Sequence, residues 1–200
     1  FRTVSGGRKK TGGFDGQEAV IQKIIKTIQG ALTPAEVTAD QLDGLGIGVR
    51  GPVTQATGIV LEAVNLSWDP VPLGDILHEE FGCPVVVSND VDAGVFGEYS
   101  FGAARDSRTA LGVFPGTGIG GGCVYDGQMV TGSGISCLEI GHMVMVPDGR
   151  QCGCGGRGCL ETVASRLAVS AAAERKCVGE GKCVDLGGRR HHANNTTTTA

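Results

Sequence analysis

Long apolar runs are missing from this chain, and so is any extended run of basic residues. A membrane-crossing helix needs roughly 20 consecutive apolar residues, and no stretch approaches that. The 200 residues carry 17 Lys and Arg against 21 Asp and Glu, a net charge of −4, so nucleic-acid and membrane-surface binding both lack their electrostatic footprint. The opening residues, Phe1-Arg-Thr-Val-Ser-Gly-Gly-Arg-Lys-Lys10, contain no apolar signal core, which leads us to expect a cytoplasmic protein. Aromatic residues are scarce at 4%, whereas glycine is abundant at 35 residues, a balance suited to tight turns and close approaches of backbone to ligand.

The apolar pattern alternates between helix and strand periods. Asp15 to Leu32 reads as an amphipathic helix with a stripe of Val20, Ile21, Ile24, Ile25, Ile28 and Leu32; Asp15 and Glu18 supply a capping-box pattern. Thr33-Pro34 restarts a short helix. Leu45–Val49, closed by Gly51-Pro52, reads as a buried strand. Pro72–Phe81 is a helix stopped by Gly82. Pro84–Ser88 is a β-branched strand, Val91–Tyr99 a helix, and Thr109–Phe114 a strand. Cys123–Tyr125 and Gln128–Val130 flank Asp126-Gly127, a hairpin signal. Leu160–Cys177 reads as one Ala-rich helix. This alternation predicts an α/β architecture. Residues 182–200 are polar and low in complexity, so we expect a disordered tail in which His191 and His192 are not ligands. Cys177 and Cys183 read as incidental thiols.

The segment from Glu139 to Glu161 carries the most chemical information. His142, Cys152, Cys154 and Cys159 lie within 18 positions. One imidazole and three thiolates fill a tetrahedral shell of the structural-zinc type. With Zn–S near ~2.3 Å, the sulfurs of such a shell lie roughly 3.8 Å apart, whereas i and i+2 side chains on an extended strand are about 6.5–7 Å apart. Cys152 and Cys154 must therefore be drawn together by a curled backbone, and Gly153, Gly155, Gly156 and Gly158 make that possible. A disulfide pair and unrelated thiols are the alternatives; reduced intracellular thiols favour zinc. A metal here would also pin Glu139 and Glu161 beside each other.

Two further constellations bear on function. Gly116-Thr117-Gly118-Ile119-Gly120-Gly121-Gly122 follows a predicted strand. Amides bared by glycine, with the Thr117 hydroxyl, can hold phosphate oxygens, although a plain hairpin turn would look the same. The stretch lacks the Lys of a P-loop and the following helix of a dinucleotide fingerprint. Asn89 and Asp90 sit at the C-terminal end of a predicted strand, the edge where open α/β sheets bind ligands. Asp90 can take a proton. The alternative is that one acid only caps the next helix; Asp92 can serve as its ordinary first-turn carboxylate and leave Asp90 available.

Taken in order, Gly46-Ile-Gly-Val49, Asn65-Leu-Ser-Trp68, Asn89-Asp90, Gly116-Thr-Gly-Ile-Gly-Gly-Gly122, Glu139-Ile-Gly-His142 and Cys152-Gly-Cys-Gly-Gly-Arg-Gly-Cys-Leu-Glu161 resemble the ROK family (repressors, open reading frames and sugar kinases). Within it the resemblance is strongest to bacterial glucokinases, and the zinc segment is also similar to that of N-acetylmannosamine kinases. The resemblance implies an actin-like ATPase, ribonuclease H-like sugar-kinase fold. It implies Asp90 as the base that deprotonates the sugar 6-hydroxyl for attack on the γ-phosphorus of ATP, with Mg2+ assisting. It implies sugar contacts from Asn89, Glu139, His142, Glu161, Asn65 and Gly51, and phosphate contacts from Thr117 and Gly118, with Gly116 and Gly120 in the same loop. His142 would place one ring nitrogen on a structural zinc and turn the other to the sugar, and the zinc would not carry the nucleophile. A sugar and ATP are the implied partners, without nucleic acid or membrane, together with assembly into a homo-oligomer.

The family also has an Asp-x-Gly-Gly-Thr phosphate loop near its start and further chain after the matched helix. Ser5-Gly-Gly-Arg-Lys9 does not supply that loop. The expectation is therefore a fold incomplete at both ends: residues 1–10 unmatched, a kinase core over 11–181, and the tail at 182–200. Glucose is the first substrate to consider, ahead of N-acetylmannosamine, N-acetylglucosamine and fructose. A sugar-sensing repressor domain and a sugar-binding, zinc-stabilised remnant without catalysis are the non-enzyme alternatives.

Overall fold

The computed structural model describes residues 3–9, 16–61, 70–133 and 138–180, with side chains to residue 174. The Asp15 cap and Asn65 lie outside the described residues, as do the tail, Cys183 and the Cys177 side chain. Two compact units emerge: residues 1–114 with 121–139, and residues 115–120 with 140–200.

In the first unit the apolar stripe becomes helix α1 (Gln17–Leu32), on which Val20, Ile21 and Ile25 are buried. Its N-cap is Gly16, which contributes no side-chain hydrogen bond, and Glu18 accepts from Gln22 (3.2 Å) one turn on. Strands β1 (Leu45–Val49) and β4 (Val85–Asn89) pair in parallel, Leu45 opposite Val85 through Val49 opposite Asn89. Between them run the short antiparallel strands β2 (Val53–Thr54) and β3 (Ile59–Val60) and helix α2 (Leu73–Phe81). Gly82 closes α2 in the left-handed conformation, φ 69°. The main core gathers Ile21, Ile25, Val53, Val60, Val71, Leu73, Leu77, Phe81 and Val87. Leu73 and Leu77 are completely buried, each contributing about 1.5–3 kcal/mol.

β1 departs from the expected buried strand. Leu45, Ile47 and Val49 are half-buried, while Gly46 and Gly48 between them are exposed, a period of two that marks a one-faced strand. Val86 on β4 likewise points outward.

Helix α3 (Asp90–Phe101) follows β4 directly. β5 (Thr109–Pro115), β6 (Ile119–Tyr125) and β7 (Gln128–Met129) form a sheet in that order. Val95, Ala110 and Val124 make a second, smaller core. The expected Asp126-Gly127 turn is present, with φ 48° and 81°, the two left-handed residues of a type I′ hairpin. Arg108 grips Asp126 through Nε–Oδ1 (2.8 Å) and a second nitrogen to Oδ2 (3.0 Å), and its guanidinium lies 5.0 Å from the Tyr125 ring centre.

The second unit contains a 3-10 turn at Ile140–His142, helix α4 (Glu161–Ala164) and helix α5 (Arg166–Glu180). The expected single helix is therefore two. Ser165 adopts an extended ψ of 159°, and its buried hydroxyl accepts from Ala168 N–H (3.2 Å). A side chain that caps a new first turn interrupts the old helix.

Candidate metal centre and active site

The His142–Glu161 segment folds as a knuckle. Arg150 C=O accepts from Gly158 N–H (2.8 Å), Cys152 C=O from Gly155 N–H (3.1 Å) and Gly156 C=O from Cys152 N–H (2.9 Å). Gly158 C=O receives both Met145 N–H (2.8 Å) and Val146 N–H (3.1 Å). Leu160 N–H donates to Met143 C=O (2.9 Å), and this pairing sets Val144 opposite Cys159, two residues beyond His142. Gly158 has φ 73°, and a Cβ there would run into the Val146 carbonyl oxygen, so the turn admits no other residue without distortion.

The knuckle brings the four sequence-predicted metal ligands together. One donor atom from each of His142, Cys152, Cys154 and Cys159 lies within 4.8 Å of every other. Cys154 and Cys159 Sγ are 3.7 Å apart, and Cys152 Sγ is 3.5 Å from His142 Nδ1. These separations fit a tetrahedral shell with Zn–S near ~2.3 Å, and the donor set of three sulfurs and one imidazole nitrogen suits that metal. The described cysteines are all free thiols, and the disulfide alternative has no support among them.

Their acidities differ. The Gly156 N–H favours the thiolate of exposed Cys154 and lowers its pKa. Burial raises that of Cys159, which is 1% exposed. For Cys152 the Cys154 backbone amide favours the thiolate, but burial and the hydrogen bond to Glu161 outweigh it, and the pKa is pushed up to about 12.

Glu161, the first residue of α4, sits against this cluster. Its Oε1 accepts from Cys152 Sγ (3.0 Å) and lies 3.8 Å from His142 Nδ1. The Gly116–Gly118 turn lies on its other side: Gly116 C=O accepts from Arg166 N–H (3.0 Å). A cavity of about 300 Å³ opens here, lined in part by Thr117, Gln151, Cys152, Glu161, Thr162 and Ser165. Of the predicted phosphate loop, Gly116, Thr117 and Gly118 are indeed in a turn. Gly120 is not, because β6 already begins at Ile119. Packing explains the end of the glycine run: a Cβ on Gly122 would stand 3.0 Å from Val95 Cγ2 and 3.2 Å from Asp92 Oδ1.

In the first unit, Asp90 and Asn89 occupy the C-terminal end of β4 as expected. The helix cap is Asn89, not an acid: its Oδ1 accepts from Val91 N–H (2.8 Å) and Asp92 N–H (3.3 Å). Its amide donates to Gly51 C=O (3.2 Å), which joins two of the predicted sugar-site residues. Asn89 is thereby fixed in orientation with one amide proton beyond these bonds. The exposed Asp90 carboxylate accepts only from the adjacent Val91 N–H (3.0 Å) among the bonds described for it. Asp92 stands in the first turn of α3 as expected, but at 2% exposed it is an interior group. Glu139 belongs to the first unit, Glu161 to the second. The Asn89 cap was readable as an Asn between a strand and a helix, and the α4–α5 break as a Ser inside a helical run. The Glu161–Cys152 contact had no sequence signal beyond proximity.

No helix among the described residues is long and apolar enough to cross a membrane. The ROK family model matches residues 10–198. The glucokinase of Streptomyces coelicolor is 36% identical over 159 residues, 80% of this chain and 49% of that protein. The xylose repressor of Caldicellulosiruptor bescii is 33% identical over 153 residues, 76% of this chain and 38% of that protein. A solved ROK family glucokinase from Streptomyces griseus, in complex with glucose and AMPPNP, superposes with a TM-score of 0.71 at 34% identity, covering 83% of this chain and 52% of that one. The chain spans about half the length of the curated glucokinase it matches. Over that half the fold is the mixed α/β architecture of the ROK sugar kinases. By the length of the family match and the order of its motifs, this chain belongs to the ROK family.

Proposed function

We propose that this chain is part of an ATP-dependent hexose kinase, with glucose as its first substrate. The observation that carries the reading is the Glu161 carboxylate, held 3.0 Å from Cys152 Sγ at the edge of a complete set of one histidine and three cysteine ligands in a ROK-family chain. Carboxylates read neighbouring sugar hydroxyls as paired acceptors, and one carried by the first residue of α4 against the knuckle is placed before the sugar arrives. Zinc held by His142, Cys152, Cys154 and Cys159 supplies architecture, since four protein ligands leave no open position. With Nδ1 in the ligand cluster, the His142 ring is fixed so that Nε2 serves the sugar. Glu139, Asn89, Asn65 and Gly51 complete the proposed sugar contacts.

Asp90 takes the proton of the sugar 6-hydroxyl as that oxygen bonds to the γ-phosphorus; the bond to the β,γ-bridging oxygen breaks and ADP leaves. Gly116, Thr117 and Gly118 meet the phosphates, with Gly120 behind them on β6. Phosphoryl transfer asks mainly for positioning and charge stabilisation. Mg2+ binds largely through substrate phosphates and water, and the described residues gather no ligand cluster of three or more besides the knuckle. We place the protein in the cytoplasm, as a homo-oligomer, without nucleic acid or membrane as partner.

ADP release measured with glucose, N-acetylmannosamine, N-acetylglucosamine and fructose tests the reading, and glucose is expected to give the highest kcat/KM. Asp90→Asn keeps the shape and removes the base, and should lower kcat by about 10²–10⁴-fold; full turnover by this variant would remove Asp90 from the mechanism. The similarity to a xylose repressor favours one other reading, a sugar-responsive regulator. Sugar binding by calorimetry with no ADP release from any sugar in the panel would select it.

A further inference from the structure

We infer that Gly118 is a positioning residue for the sugar-side acid Glu161, so that the turn assigned to ATP phosphates also sets the geometry of sugar recognition; this rests on the kinase reading above. A methyl group built on Gly118 would overlap Glu161 Oε2 and come within 3.5 Å of its Cδ. The other oxygen, Oε1, lies 3.0 Å from Cys152 Sγ, against the knuckle. The carboxylate therefore fills the space between the knuckle and the Gly118 α-carbon, and it stays there only while position 118 has no side chain.

The backbone cannot relieve such a clash easily. Gly116 C=O accepts from Arg166 N–H (3.0 Å), and Gly116 N–H donates to Gly118 C=O (2.8 Å). On the far side, a Cβ on Gly141 would already run into the Ile119 carbonyl oxygen, so the segment is backed by the 3-10 turn that carries His142. Of the two partners in the clash, the Glu161 side chain moves: it is the far end of a flexible chain, 22% exposed, beside a cavity of about 300 Å³. An added methyl would thus leave the fold intact and turn the carboxylate away from Cys152.

A double-mutant cycle tests this. Affinities for glucose and for a non-hydrolysable ATP analogue are measured by calorimetry on the wild type, Gly118→Ala, Glu161→Asp and the double variant. Aspartate is shorter by one methylene and leaves room for the methyl. The expected result is at least a tenfold loss of glucose affinity when Gly118→Ala is made in the wild type, and less than a twofold further loss when it is added to Glu161→Asp. Any effect on the ATP analogue should be the same in both backgrounds. Equal glucose losses in the two backgrounds, or coupling confined to the nucleotide, would overturn the inference. Crystal structures of the wild type and Gly118→Ala give a ligand-free answer. A carboxylate turned away from Cys152 supports the inference even if no sugar binds and the kinase reading fails; an unmoved carboxylate sinks it. If Gly118→Ala does not fold, folding of the double variant supports the steric coupling and its failure to fold refutes it.

Discussion

The two units are ordered by different physics. The first has an apolar interior: ten buried residues from two helices and the strands around them form one cluster, and a smaller cluster lies under β5–β7. In the second, the described buried apolar groups are essentially Ile119, Ala168 and the two thiols of Cys152 and Cys159. Met143, Val144, Met145 and Val146 are all exposed, as are Val163, Leu167 and Val169 on its helices. What organises the second unit is a set of glycine turns, backbone hydrogen bonds and the convergent side chains of His142, Cys152, Cys154 and Cys159. One unit draws its order from area removed from water, and the other from chemistry at a point. Perturbations that act on one of these sources should leave the other nearly untouched.

The sharpest break is removal of a ligand or of the metal. Apparent zinc binding in small knuckles amounts to about 10–16 kcal/mol at neutral pH, much of it folding free energy. Cys159→Ser, or chelation of the wild type, is expected to abolish hydrogen-exchange protection over residues 142–161 while protection in α1 and α2 persists. Metal analysis of the purified protein should give one zinc per chain, lost in the variant. The pH dependence has a definite sign. Cys152 and Cys159 have raised pKa values without metal, so both are protonated at pH 7 and must lose their protons to bind it. Zinc uptake should therefore release about two protons or more, and affinity should fall as pH falls. Calorimetry in buffers of different ionisation enthalpy counts those protons. Uptake without proton release would contradict the proposed thiolate ligands.

The converse perturbation belongs to the first unit. Leu77 is fully buried in the main core, and Leu77→Ala is expected to destabilise by about 2–5 kcal/mol through lost transfer energy and the cavity left behind. Denaturant unfolding followed by α1 exchange should show that loss, with zinc content unchanged. Loss of zinc together with the core would mean that the knuckle depends on apolar packing after all.

The contrast also explains what could be read in the sequence. Where burial decides, periodicity was enough: the stripe of α1, the Gly82 stop and the Asp126-Gly127 turn all stand where the pattern put them. The clustering of His142, Cys152, Cys154 and Cys159 was legible because tetrahedral chemistry restricts spacing. Less legible were positions where one residue type serves two ends. Gly121 and Gly122 look like loop but lie in a strand, and Gly122 packs against α3, because glycine marks close packing as well as turning. Leu-Gly-Ile-Gly-Val reads as an apolar run when glycine is counted as apolar, yet it alternates as a half-exposed strand. Asn89 looks like a ligand-binding amide and is also a helix cap. Asp92 gave no sign of burial, because charge in a first turn is ordinarily solvated.

The smallest expected effect probes the seam inside the second unit. Ser165 is 3% exposed, ends α4 and caps α5 through Ala168 N–H at 3.2 Å. Ser165→Ala removes that acceptor and should cost about 1 kcal/mol, read as faster amide exchange in the first turn of α5. The neighbouring tie, from Arg166 N–H to Gly116 C=O, is a backbone bond that the substitution does not delete. If the point-like order described above holds, the loss stays in that turn and the ligand cluster keeps its metal. A loss that spreads to Cys152 or to the Gly116–Gly118 turn would show instead that the helix break transmits order between that turn and the knuckle, and the second unit would be cooperative without an apolar core.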